Sequence, residues 1–148
     1  MFSSLIQQIG AVLTVLVTVL ALWKGDRPVR ILALVSVAAF VLSPLLQNWG
    51  DFISPQWGVA AVDAAVLAAI TALVLRYDRR WLIVIWGIAA LSLLAHLGKL
   101  VDATLLPRGY IGGLYILYFA FLAAQLGGVA EALWRRRSID PANRNPGT

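Results

Sequence analysis

Five apolar stretches, at about 5–23, 29–47, 57–75, 81–99 and 111–134, take up most of this chain and are separated only by short charged or proline- and glycine-bearing segments. A helix rises about 1.5 Å per residue, so runs of roughly 20 residues cover the ~30 Å of hydrocarbon in a bilayer. The connections KGDRP, NWGDFISPQ, RYDRR and LVDATLLPRG are too short for a folded domain outside the lipid. With 61% hydrophobic and 13% charged residues, there is too little polar surface to cover a soluble domain, which is usually about one-quarter charged. The expected fold class is therefore all-α: a polytopic membrane helical bundle of about five helices. It forms one domain over 1–134, followed by a basic, disordered cytoplasmic tail over 135–148.

The basic residues suggest an orientation. Lys24, Arg27 and Arg30 flank the first connection, Arg76, Arg79 and Arg80 the third, and Arg135, Arg136, Arg137 and Arg144 follow the last stretch; only Lys99 and Arg108 lie elsewhere. Loops rich in Lys and Arg stay in the cytoplasm, so the pattern predicts an outside N-terminus and an inside C-terminus, the parity five spans require. The expected location is a membrane of the bacterial inner, cytoplasmic type. The first stretch is expected to be retained, because its positive charge follows the apolar run instead of preceding it as in a secretory signal. Net charge is +5, but these alternating clusters do not form a phosphate-binding face, and no nucleic-acid partner is expected.

Tryptophan favours the headgroup zone. Trp23, Trp81 and Trp134 fall at expected inner ends and Trp49 and Trp57 at outer ends, so these five read as interfacial anchors, whereas Trp86 lies about one turn inside. Sliding the first two helices 52 residues onto the next two lays Asp26-Arg27 over Asp78-Arg79 and Lys24 over Arg76, a weak sign of a parallel 2+2 repeat with a fifth helix added.

Membrane helices associate through small residues that let backbones approach. Ala60, Ala64, Ala68 and Ala72 recur every four residues, with Ala61, Ala65 and Ala69 beside them, which marks the third helix as central. Gly109 with Gly113, then Ala120, Ala124 and Gly128, form a similar stripe on the fifth. Both stripes serve packing within the bundle or contact with a membrane-protein partner or second copy. Thr14 and Thr18 can return hydrogen bonds to their own helix.

Few groups remain for chemistry. Asp63 falls about two turns into the third helix and His96 about one turn inside the fourth, at similar depth, so a contact between them is geometrically possible. An ionised carboxylate at the bilayer centre costs on the order of 2.5–3.5 kcal/mol, and must be protonated, paired or wetted. His96, Lys99 and Asp102 follow at three-residue steps, so Asp63, His96, Lys99 and Asp102 are the candidate proton- or ion-binding residues. The simpler alternative keeps Lys99 at the interface, Asp102 in the loop and His96 bonded to a neighbouring helix. Gln125 needs a buried partner, and Glu131 is spaced to pair with Arg135.

One histidine and no cysteine exclude a bis-histidine haem, an iron–sulfur cluster and a conventional structural zinc site; single axial ligation of a haem or pigment by His96 stays formally open, and no cofactor or metal is expected. These residues lead first to a non-enzymatic accessory or assembly subunit, or a homo-oligomer, acting through helix contacts within the lipid bilayer. The alternatives are a small proton- or cation-linked transporter or channel using Asp63 and His96, and a lipid-modifying enzyme built on His96, Asp102 and Tyr110.

Overall fold

The computed structural model describes residues 5–48, 50, 56–101 and 107–139, with side chains at all of these except 99–101, 107, 108, 110, 111 and 139. Five helices follow one another: α1 (Leu5–Lys24), α2 (Arg27–Leu46), α3 (Trp57–Arg76), α4 (Arg80–Val101) and α5 (Pro107–Ile139). All five are long and apolar enough to cross a membrane, and there is no strand among the described residues. The expected stretches correspond to these helices one for one. Side chains such as Leu75, Ile116 and Leu5 lie on the outside of the bundle, where a water-soluble protein would place polar groups.

The turns explain why consecutive helices run antiparallel. Between α1 and α2 only Gly25 and Asp26 intervene, and a Cβ on Gly25 would lie 2.3 Å from the Ala21 carbonyl oxygen and 2.5 Å from Val29 Cγ1, so no larger residue fits. Pro28 opens α2, where a missing N–H costs no helical bond. Only residues 77–79 separate α3 from α4. The ends joined by these two turns, together with the end of α5, form one basic end of the bundle.

Around the bundle the helices close a ring: α1 packs on α2 and α5, α2 on α3, α3 on α4 and α4 on α5, with a lesser contact between α2 and α5. The buried core occupies the half nearer the basic end, where Val29 and Leu32 of α2, Ile70 of α3, and Leu82 and Ile85 of α4 meet Val129 of α5.

Three expectations need correction. The third helix is not central, since it touches only α2 and α4. Its inward face carries the bulky Val62, Ile70 and Leu73, while Ala64, Ala68 and Ala72 are exposed and Ala60 is half-buried; branched side chains fill the interior and alanines are left outside. Trp81 is not an interfacial anchor but part of the core. Its indole lies over Gly128, where a Cβ would sit 2.9 Å from the ring, so the last glycine of the α5 stripe does serve packing. Finally, residues 135–139 do not begin a disordered tail but continue α5. Arginine is a good helix former, and Arg136 and Arg137 in the last turn complement the helix dipole. Residues 140–148 lie outside the described residues.

The rest of the α5 stripe is mixed: Ala120 and Ala124 are half-buried, and Gly109 and Gly113 face open space. Trp23, Trp57 and Trp134 are exposed near helix ends, and Trp23 is stacked by the Lys24 ammonium 3.9 Å from its ring centre. Trp49 lies outside the described residues. Trp86, the exception to the belt, donates its indole N–H to Thr71 Oγ1 at 2.9 Å.

Candidate ligand cavity and its ionisable pair

The half of the bundle away from the basic end is not filled. It contains a cavity of about 310 Å³ bordered by side chains of all five helices, among them Thr14 of α1, Ser36 and Phe40 of α2, Asp63 of α3, His96 of α4 and Tyr118 of α5. Pro44 and Val59 also line it, and lie within a turn of the α2 and α3 ends, whereas the apolar core closes it toward the basic end. The volume is at the low end of the range of small-molecule sites.

Hairpin register brings the ionisable pair together. An antiparallel pair of helices turning near residue 78 places opposite one another residues whose numbers sum to about 156, so Asp63 stands opposite the stretch that carries Ser92 and His96 one turn apart. Thr71 and Trp86 meet by the same register. Asp63 Oδ2 accepts a hydrogen bond from Ser92 Oγ at 2.8 Å and lies 3.3 Å from His96 Nε2. His96 is buried and the Asp63 side chain is 22% exposed. One carboxylate oxygen is thus shared by a hydroxyl and an imidazole on the wall of a largely apolar chamber.

Across the chamber, Thr14, Tyr118 and the Gly10 carbonyl form a second polar node. The Thr14 and Tyr118 hydroxyls are bonded to each other, and both lie 2.9 Å from Gly10 O, which accepts from whichever of them does not donate to the other. Gly10 admits this approach because a Cβ there would press on the Tyr118 ring at 3.1 Å. On α2, Pro44 lacks the N–H that the Phe40 carbonyl would accept in a regular helix, and both residues border the cavity. In an apolar surrounding such backbone is tolerated where it lines a cavity. Beneath the cavity, Gln125 is completely buried, its Oε1 3.5 Å from Ser36 Oγ, while its Nε2 has no hydrogen-bond partner among the described residues.

A separate ionic cluster holds the basic end. Arg79 donates to Asp26 Oδ2 and to Glu131 Oε1, both at 2.8 Å, and Arg135 Nε donates to the same Glu131 oxygen at 2.9 Å. Asp26 stands at the N-cap position of α2 without capping it, because its carboxylate is engaged by Arg79. Arg30 and Arg136 both donate to the Gly25 carbonyl. This cluster ties the α1–α2 turn, the α3–α4 turn and α5 into one clamp.

Of the expected site residues, the structure brings Asp63 and His96 together. The Lys99 side chain and Asp102 lie outside the described residues, as does the Tyr110 side chain. The Glu131–Arg135 pair is present, and Gln125 approaches Ser36. Sequence reasoning missed Ser36, Ser92 and Tyr118, whose types are common in membrane helices and which carry no spacing signal, and missed Arg79 as the bridge between two acids. Among the described residues no group of three or more His, Asp or Glu side chains is placed to hold a metal ion. No protein-family model, curated protein or solved structure matches the chain.

Proposed function

We propose that this chain is an integral membrane protein that crosses the bilayer five times, with its basic end in the cytoplasm and its N-terminus outside, and works as a proton-linked carrier of a small, largely apolar molecule. The observation that carries this reading is the Asp63–His96 contact on the wall of the cavity. Intramembrane ionisable residues are costly and persist where they bind an ion or relay protons. Histidine is the side chain whose charge changes nearest neutrality, and a carboxylate beside it lets the pair hold a proton without a bare charge in lipid.

In this scheme the cavity admits its ligand from the end away from the arginines. Ser92 and His96 hold Asp63 in place, and the proton between imidazole and carboxylate leaves as the ligand's polar group arrives. The apolar core beneath, sealed by the Arg79 clamp, is the closed gate. In proteoliposomes containing a pH dye, a gradient of at least one member of a panel of small aromatic cations, anions and neutral molecules should drive a saturable proton flux that Asp63→Asn and His96→Asn both abolish while the protein stays monodisperse. A flux absent for the whole panel, or unchanged in both variants, would refute the carrier.

The assembly-subunit reading retains one specific support, the outward alanines Ala64, Ala68 and Ala72 of α3, since small residues on a lipid-facing helix invite a neighbouring helix. If that row binds a partner or second copy, Ala68→Leu should shift the particle to a smaller size in mild detergent without loosening the monomer. An unchanged size would remove that reading.

A further inference from the structure

Resting on the carrier reading, we infer that the ligand of the cavity is a monovalent lipophilic organic cation, its charge paired with Asp63 and its apolar body packed among Phe40, Tyr118 and Phe121. These four side chains, from α2, α3 and α5, border the same chamber. A cation leaving water needs a counter-charge and is further attracted to aromatic faces. The Tyr118 hydroxyl is already bonded to Thr14 and Gly10, which fixes the ring and leaves it to the ligand as an aromatic surface.

Charge selects the class. Among the described side chains that border the cavity, Asp63 is the acid and none is lysine or arginine, so the chamber offers an anion no permanent positive charge. Calcium or magnesium would need about six oxygens and zinc three or four protein ligands, and among the described residues no group of three or more His, Asp or Glu side chains is placed to hold a metal ion. A single carboxylate in an apolar, aromatic chamber suits one diffuse positive charge on a hydrocarbon frame.

The exchange balances. Among the described side chains that border the cavity, the titratable groups besides Asp63 are His96 of α4, beside it on the same wall, and Tyr118 of α5 across the chamber, while α1 and α2 contribute the hydroxyls of Thr14, Ser36 and Ser43. Before binding, the carboxylate is neutralised by an imidazolium; afterwards it is neutralised by the ligand, and one proton leaves from His96 to water. Uptake of one cation thus releases one proton, and the site stays neutral throughout.

Calorimetry on the full chain in detergent, with benzyltrimethylammonium, its uncharged isostere neopentylbenzene and the anion phenylmethanesulfonate, tests this. The cation should bind saturably and release close to one proton, measured in two buffers of different ionisation heat, and its affinity should fall by up to about tenfold per pH unit on acidification. The isostere should bind at least about thirtyfold more weakly, and Asp63→Asn should impose a similar loss for the cation. Asp63→Glu should restore binding, which separates lost charge from misfolding. Phe121→Leu should weaken the cation about two- to thirtyfold and leave the isostere unchanged. Equal binding of cation and isostere, indifference to Asp63→Asn, or preference for the anion would overturn the cation assignment while leaving a ligand cavity. Failure of all three probes to bind, with no ligand-driven proton flux in vesicles, would overturn the carrier reading along with it.

Discussion

Replacing Arg79 with glutamine removes a cation that bridges Asp26 and Glu131. Two unit charges about 4 Å apart at an effective dielectric of about 20 attract by ~4 kcal/mol, and Arg79 makes two such contacts, each 2.8 Å between heavy atoms. Most of that attraction is offset by taking the ions out of water. What the variant exposes is the cost of stranding the acids, about 3–5 kcal/mol for a fully buried pair. Here the side chains are 18% exposed for Arg79 and 27% for each acid, so solvent screens part of it. Glu131 also keeps Arg135, whereas Asp26 has a second oxygen already buried without a partner among the described residues. The expected loss is about 2–3 kcal/mol, borne mainly by Asp26. It is read from unfolding in mixed detergent micelles by tryptophan fluorescence. In an Asp26→Asn background the same change should cost at least about 0.5 kcal/mol less, the coupling expected of residues in one network. Arg80→Gln, exposed at the same end, should stay within about 0.5 kcal/mol of the parent. A loss for Arg79→Gln no larger than that control, with no coupling to Asp26, would show that the clamp does not hold the turns together.

Gly128→Ala should destabilise by about 1–3 kcal/mol, because the new methyl meets the Trp81 ring, and Trp81→Leu in the same chain should recover most of it; Gly113→Ala, facing open space, should do neither. Gln125→Leu should leave stability unchanged or raise it by about 1 kcal/mol, since an apolar side chain relieves a buried amide nitrogen that has no partner among the described residues. A loss above about 1 kcal/mol there would mean that the amide is bonded in the working protein.

Much of the fold is legible in the sequence because apolar runs of about 20 residues, bounded by charges, prolines and glycines, mark the five helices, and Gly25-Asp26 with Pro28 leaves little choice of turn. The α3–α4 register is readable too: a tight turn near residue 78 puts Asp63 level with His96. Which face of α3 points inward is not. Its alanine periodicity is compatible with close packing in either direction, and the volume that Val62, Ile70 and Leu73 must fill decides the matter. Trp81 illustrates the same limit, since an indole at a helix end suits an interface until a glycine 47 residues away, Gly128, opens a place for it. The cavity is illegible for a related reason: empty space results from what five helices fail to fill, and Ser36, Ser92 and Tyr118 converge on it from three of them.

The most direct test uses the only histidine in the chain. With ¹⁵N-histidine and ¹³Cγ-aspartate incorporated and the protein reconstituted in lipid bilayers, solid-state NMR dipolar recoupling reads the distance from His96 Nε2 to the nearest aspartate carboxyl carbon. Strong dephasing is expected, matching the 3.3 Å nitrogen–oxygen contact, and it should vanish in Asp63→Asn. No dephasing in the parent chain, or dephasing that survives Asp63→Asn, would contradict an intramembrane Asp63–His96 pair.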